Sequence, residues 1–237
     1  MNSKCWPVVV VLLASWPPFL PPRDTFTPGV AASIDRVWTS PTLVRSVEAE
    51  PARVPLRVYL TFVDVPDVTA AAARHLHLAK YEVRLLDQRW YEADDHDGAR
   101  GIYYVAVRDG ARRVILSWGN HRGAFLGTIR GSALTDITLE DRGEFTGQRL
   151  TAYVLIDNPV AARLARVLVT IFGGIADRKL TEGFTVTGRV AMWARQRPRE
   201  FCDWLNAAAL PDVSRQHVLA ALPECPAQRA AVTPRDP

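Results

Sequence analysis

The chain predicts an α+β domain, a curved antiparallel sheet of about seven strands packed on a long C-terminal helix, with a helical hairpin after it. Three observations lead there. Runs rich in β-branched and aromatic residues recur between Leu56 and Ile156. Glycine- and aspartate-bearing turn signals separate these runs closely enough for hairpins rather than crossovers. After Asp157-Asn158-Pro159 the hydrophobic period becomes helical.

Taken in order, residues 1–32 read as an export segment. Lys4 precedes the short apolar run around Val8-Val9-Val10-Val11-Leu12-Leu13, the pattern of a secretory signal. Pro7, Pro17 and Pro18 interrupt it, and it is too short for an ordinary membrane span. Val30-Ala31-Ala32 offers small residues for cleavage, although Val30 to Trp38 also suits a short helix. Residues 33–55 read as linker, 56–225 as one domain, and the polar, proline-containing 226–237 as a disordered tail.

Within the domain, Leu56 to Val63 reads as the first strand, and Pro66 opens a helix running to Leu76. Strands are expected at Tyr81 to Tyr91, Gly101 to Val107, Arg112 to Trp118, Ala124 to Arg130, Ala133 to Asp141 and Arg149 to Ile156. The turn signals are Asp97-Gly98, Asp109-Gly110, Gly119-Asn120, Gly131-Ser132 and Arg142-Gly143. Helices follow from Pro159 to Phe172 and from about Ile175 to Arg195, then two short ones, Pro198 to Leu210 and Ser214 to Leu222.

Composition excludes several classes. With 48% hydrophobic and 23% charged residues the chain is not broadly disordered. Its net charge of +4 is scattered, without a basic run, so no nucleic-acid partner is expected. The five histidines and the cysteines lack metal-site spacing, and no nucleophile elbow, Walker loop or dinucleotide fingerprint is present. The acidic stretch Glu92 to Gly98 fails as a calcium loop, because Ala93 and Tyr104 fall where the end ligands belong. His121 with Asp136 or Asp157 is chemically able to form an acid–base pair, but nothing in the spacing demands it and loop surface is the default reading. No catalytic residue, metal or cofactor is assigned.

Cys202 and Cys225 flank the two short helical patterns, and a hairpin would bring them within disulfide reach. The strands carry more aromatic side chains than one thin core needs, because successive strand residues face opposite ways. A cavity beneath a helix would take the surplus, which selects Tyr104, Trp118 and Tyr153 as ligand-facing candidates. Phe184 and Gly188 join them from the last long helix, where two internal glycines, Gly183 and Gly188, need a compensating close approach.

From Leu56 to Leu205 this element order resembles the START / Bet v 1-like helix-grip (SRPBCC) superfamily. The Asp157-Asn158-Pro159 break and the helix from Ile175 to Arg195 carry the resemblance. It implies a sheet wrapped around a long helix with an apolar cavity between them. It also implies either a lipid carrier or a cyclase-like enzyme, and no binding residue transfers by motif. The helix from Pro159 to Phe172 departs from the pattern. The expected function is therefore non-catalytic binding or transfer of a small hydrophobic, lipid-like molecule, in the periplasm or outside the cell, with membrane-surface contact allowed. The alternatives are a cyclase-like enzyme or hydrolase using the same cavity, and an envelope interaction protein.

Overall fold

Alternation along the strands sorts the apolar side chains of the sheet onto two faces, and helices cover both. The computed structural model describes residues 16–123, 127–159, 177 and 181–225. The short helix Arg23–Thr25 leads into α1 (Pro28–Thr39), β1 (Leu43–Ala52), α2 (Leu56–Asp64) and α3 (Pro66–His75). Six strands follow: β2 (Glu82–Asp87), β3 (Trp90–Asp94), β4 (Ala99–Asp109), β5 (Arg112–Gly123), β6 (Gly127–Arg142) and β7 (Phe145–Ile156). Then come α4 (181–196), α5 (Pro198–Ala207) and α6 (Asp212–Ala221).

The seven strands form one antiparallel sheet in the order β1-β7-β6-β5-β4-β3-β2. The expected fold class is therefore found, but several elements lie elsewhere than predicted. Leu56–Asp64 is a helix, not the first strand: Tyr59 and Phe62, three apart, are both fully buried and belong to one helical face. The first strand is β1, inside the segment expected to be linker. It is an edge strand with polar residues at alternate positions and a register shift beside Pro51, where a missing donor is tolerated.

The run Tyr81 to Tyr91 divides into β2 and β3 around Gln88-Arg89, a turn without glycine. Conversely, Gly119-Asn120 and Gly131-Ser132 are not turns. Gly119 lies inside β5 and Gly131 inside β6, paired with each other. The helix expected from Pro159 to Phe172 lies almost wholly outside the described residues, as do the leader residues 1–15 and the tail.

The inner face of the sheet packs on α2, α3 and α4. Its core holds Tyr59, Phe62, Val68, Val190, Phe201 and Leu205, all fully buried, with Phe62 edge-on to Phe201 at 5.5 Å. Burying an aliphatic or phenyl side chain of this kind contributes roughly 1.5–3 kcal/mol. Arg45 of β1 holds Asp177 through two hydrogen bonds of 2.7 Å, tying the edge strand to the helical segment. On the outer face, Ile34 and Val37 of α1 cover Val114, Leu116 and Leu134. Cys202 and Cys225 form the predicted disulfide, with Cα atoms 5.3 Å apart, closing the α5–α6 hairpin.

Candidate ligand cavity

The inner face is not filled everywhere. Paired residues run across the sheet in rows, and one row reads Ala93, Gly101, Gly119, Gly131, Ile156. The next reads Tyr91, Tyr103, Ser117, Ala133, Val154. Small side chains at the centre of both rows leave space above the sheet. The glycines are sterically required: a Cβ at Gly101 would sit 2.5 Å from the Trp118 carbonyl oxygen, and one at Gly131 2.5 Å from that of Leu155. Such close approach of neighbouring backbones is the usual reason for glycine within a strand.

Three hollows lie along the inner face. The largest, about 530 Å³, lies over the glycine row and is bordered by Tyr103, Ser117, His121, Ala133, Val154 and Ile156. A second, about 340 Å³, lies among Tyr59, Phe62, Ile137, Leu150, Phe184 and Thr187, between α2, the sheet and α4. A third, about 240 Å³, lies against Val63, Pro66, Val105 and Ile115 and ends at Asp64, Arg108 and Arg113. Tyr103 borders all three. Two of the volumes fall within the range of ordinary small-molecule sites, about 300–1,000 Å³, and the linings are chiefly apolar.

Polar residues border the hollows too: Ser117 in the central row, and Asp94, Asp95, Arg100, His121 and Arg130 around the largest. The Tyr103 hydroxyl makes no hydrogen bond among the described residues, and removal from water pushes its ionisation far above the ordinary tyrosine range. Its ring stacks on Tyr91 at 5.1 Å. Tyr81, bordering two of the hollows, is pushed up to about 12 by burial, with a smaller contribution from Glu182. At the far end, Arg113 donates from Nε and Nη2 to the two oxygens of Asp64, at 2.7 and 2.8 Å.

Arg108 reaches the same end because of a bulge. Val105 pairs with Ile115 but Val107 with Val114, so Ala106 is an extra residue in β4. Ala106 and Val107 both enter the outer core, and Arg108 is turned inward beside Arg113. In regular alternation Arg108 would have faced out; bulges re-aim side chains in this way.

The residues selected from sequence are divided by the structure. Phe184 is buried and borders the second hollow. Gly188 meets Ala52 and Tyr59 instead: a Cβ there would lie 3.0 Å from the Ala52 Cβ, so its role is close helix–sheet contact. Tyr104, Trp118 and Tyr153 carry their rings on the outer face. Trp90 lies 4.8 Å from Tyr104 and 5.6 Å from Trp118, ring centre to ring centre, while Tyr153 packs on Phe19 and Trp38. Trp118 reaches the largest hollow through its main chain, beside Gly101. The expectation that these three rings crowd the cavity is corrected: the aromatic surplus is absorbed by the segment around Trp16, Phe19, Phe26 and α1.

Sequence reasoning missed Tyr103. The signal was the glycine pairing, because Gly101 and Tyr103 share a face by strand alternation and Tyr104 cannot share it. His121 is likewise separated from Asp136, which stands on the outer face against Arg112 at 3.1 Å.

No protein-family model matches the chain, and no curated protein matches it. Among solved structures it is similar to a conserved protein from Geobacillus kaustophilus, at 18% identity and a TM-score of 0.47, over 64% of this chain and 95% of that one. It is also similar to Ara h 8.0201, at 10% identity and TM-score 0.40, over 63% and 99% of the two chains. A third is an uncharacterised protein from Rhizobium leguminosarum, at 16% identity and TM-score 0.41, over 63% and 94%.

Proposed function

We propose that this protein binds a small hydrophobic, lipid-like molecule in the inner-face cavity and acts as a carrier rather than a catalyst. The observation that carries this reading is the group of three hollows that share Tyr103 as a border and present mainly apolar surface among the described residues, with Asp64, Arg108 and Arg113 at the edge of the smallest. Apolar walls with a few fixed polar groups suit a mostly hydrocarbon ligand. The element order, one strand, two helices, six strands and a long helix, agrees with the helix-grip resemblance. Of the ionisable groups bordering the hollows, Asp64 is engaged by Arg113 and Arg100 by Glu92, while Asp94, Asp95, His121 and Arg130 also border the largest.

Export belongs to the same proposal. Lys4 with the Val8 to Leu13 run supports it, and so does the Cys202–Cys225 bridge, since disulfides persist in oxidising compartments. The test of binding is a series of linear alkan-1-ols titrated into the purified protein and followed by tryptophan fluorescence and calorimetry. Each methylene buried should contribute about 0.8 kcal/mol, roughly a fourfold gain in affinity per carbon, until the hollows are filled. Absence of binding throughout the series, or affinity independent of chain length, overturns the cavity reading. Mass spectrometry of molecules extracted from natively purified protein would then identify the natural ligand.

A further inference from the structure

The third hollow ends at a wall that has a second side. Asp64 and Arg108 border the hollow and also an external cleft of about 580 Å³ between the β2–β3 hairpin and α6. The cleft is bordered by Leu85, Arg89, Tyr91, Pro211, Ser214 and His217. Arg108 therefore stands between apolar space inside and polar space outside, with its side chain 29% exposed.

Its partners leave the guanidinium incompletely matched. Asp64 gives both oxygens to Arg113 in hydrogen bonds, while Arg108 Nε is 3.6 Å from Oδ1, beyond hydrogen-bond length. The hydrogen bond Arg108 does make, from Nη2 at 2.9 Å, goes to the neutral hydroxyl of Tyr91. Other groups around this wall are engaged in part, although Asp67 Oδ1 is buried without a hydrogen-bond partner among the described residues. Asp67 accepts from the Ser214 hydroxyl, Asp87 accepts from the Gln88 amide, and Arg89 donates to the Ala106 carbonyl. A partly buried guanidinium gains most from an oxyanion that takes its donors in pairs.

We propose that the natural ligand is a single-chain amphiphile whose oxyanionic head, a carboxylate or phosphate ester, is held by Arg108 while its tail lies in the hollows under Tyr103. The assignment rests on the cavity reading and adds the head group to it. The β4 bulge is what makes it available, because only the extra residue at Ala106 brings Arg108 to the inner face. The head faces the polar cleft, so it need not be fully desolvated, and the tail lies against the apolar side chains of the hollows.

Calorimetric titration with decanoate, decyl phosphate and decan-1-ol, against the wild type, Arg108→Gln and Arg108→Met, decides the matter. At least one of the two anions should bind the wild type tenfold or more tighter than the alcohol, and the ratio between the anions selects carboxylate or phosphate. Both variants should lose that preference while keeping the alcohol's affinity, with folding checked by thermal melting of the same samples. Alcohol and anions binding the wild type equally would overturn the head-group assignment and leave the cavity standing. A preference that survives in either folded variant would also overturn it. Failure of all three probes to bind the wild type would remove the cavity reading itself.

Discussion

Arg113 of β5 and Asp64 at the end of α2 form a two-pronged pair, Nε to Oδ1 at 2.7 Å and Nη2 to Oδ2 at 2.8 Å. The remaining Arg113 nitrogen, Nη1, donates to the carbonyls of Gly110 and Arg112 at 2.8 Å each. The arginine side chain is 7% exposed and the aspartate 16%, so both charges are largely removed from water. A pair of this kind is costly to assemble and costlier to halve, because the charge left behind is largely buried and Asp64 would keep only the more distant Arg108, Nε 3.6 Å from Oδ1.

Arg113→Met is therefore expected to destabilise the fold by about 3–5 kcal/mol, and pairing it with Asp64→Leu should recover a substantial part of that loss. Urea unfolding of both single variants and of the double variant measures this. A double variant as unstable as the sum of its single changes would contradict the coupling.

Alkaline pH tests the buried tyrosines. Burial raises Tyr59 and Tyr103 far above the ordinary value of 10.0, and Tyr81 to about 12. Folded values above unfolded ones mean that the stabilisation is complete below about pH 10 and lost as pH rises toward the folded values. Each tyrosine held neutral contributes a slope of about 1.4 kcal/mol per pH unit once its unfolded counterpart ionises. Stability measured between pH 9 and 11 should be level at first and then fall, on the order of these values. Tyrosinate absorbance of the native protein should show Tyr59 and Tyr103 silent until unfolding. A flat stability profile through this range would refute the burial.

The two helix glycines should respond oppositely. Gly188 lies against Ala52 and Tyr59, so Gly188→Leu overpacks a filled contact and is expected to cost about 1–3 kcal/mol. A methyl group added at Gly183 would meet nothing within 4 Å, so Gly183→Ala should gain roughly 0.5–1 kcal/mol through helix propensity. Thermal melts of both variants compare the two effects directly. Stabilisation at Gly188 would mean that α4 does not approach β1 as closely as described.

How much of this was legible depended on whether a local pattern had one meaning. The disulfide was readable because a hairpin of the two short helical patterns could bring Cys202 and Cys225 together, and the structure closes that hairpin with the bridge. The sheet was readable as a class, and its count of seven survived offsetting errors in its parts. Leu56 to Val63 satisfies strand alternation and helical spacing alike, and only the packing of Tyr59 against α4 and of Phe62 against Phe201 of α5 decides for the helix. β1 was hidden because an edge strand needs few apolar residues, here Val47 and Ala49. The cavity floor was hidden because Gly119 and Gly131 resemble turn residues until their pairing is known. Arg108 could not be placed at all without the bulge, since a one-residue slip reverses every side chain beyond it.

The amino-terminal segment gives the last prediction. Leu20, Phe26, Val30 and Ala31 are buried on the outer face together with Ile34 and Val37. Cleavage after Ala32 would divide α1 and remove the first four from the core, exposing the rings of Trp90, Tyr104, Trp118 and Tyr153 beneath them. At roughly 1.5–3 kcal/mol for each large apolar side chain lost, such a product would forfeit much of a typical domain's stability of about 5–15 kcal/mol. A chain beginning at Trp16 keeps this outer layer and should unfold cooperatively, and one beginning at Ser33 should unfold earlier or aggregate. In the full chain, Ile34→Ala alone should cost about 2–5 kcal/mol. The three proteins can be compared by urea unfolding and by the fluorescence of an apolar dye. Equal stability of the chains starting at Trp16 and Ser33 would show that the outer layer is dispensable, and would restore Val30-Ala31-Ala32 as a workable cleavage site.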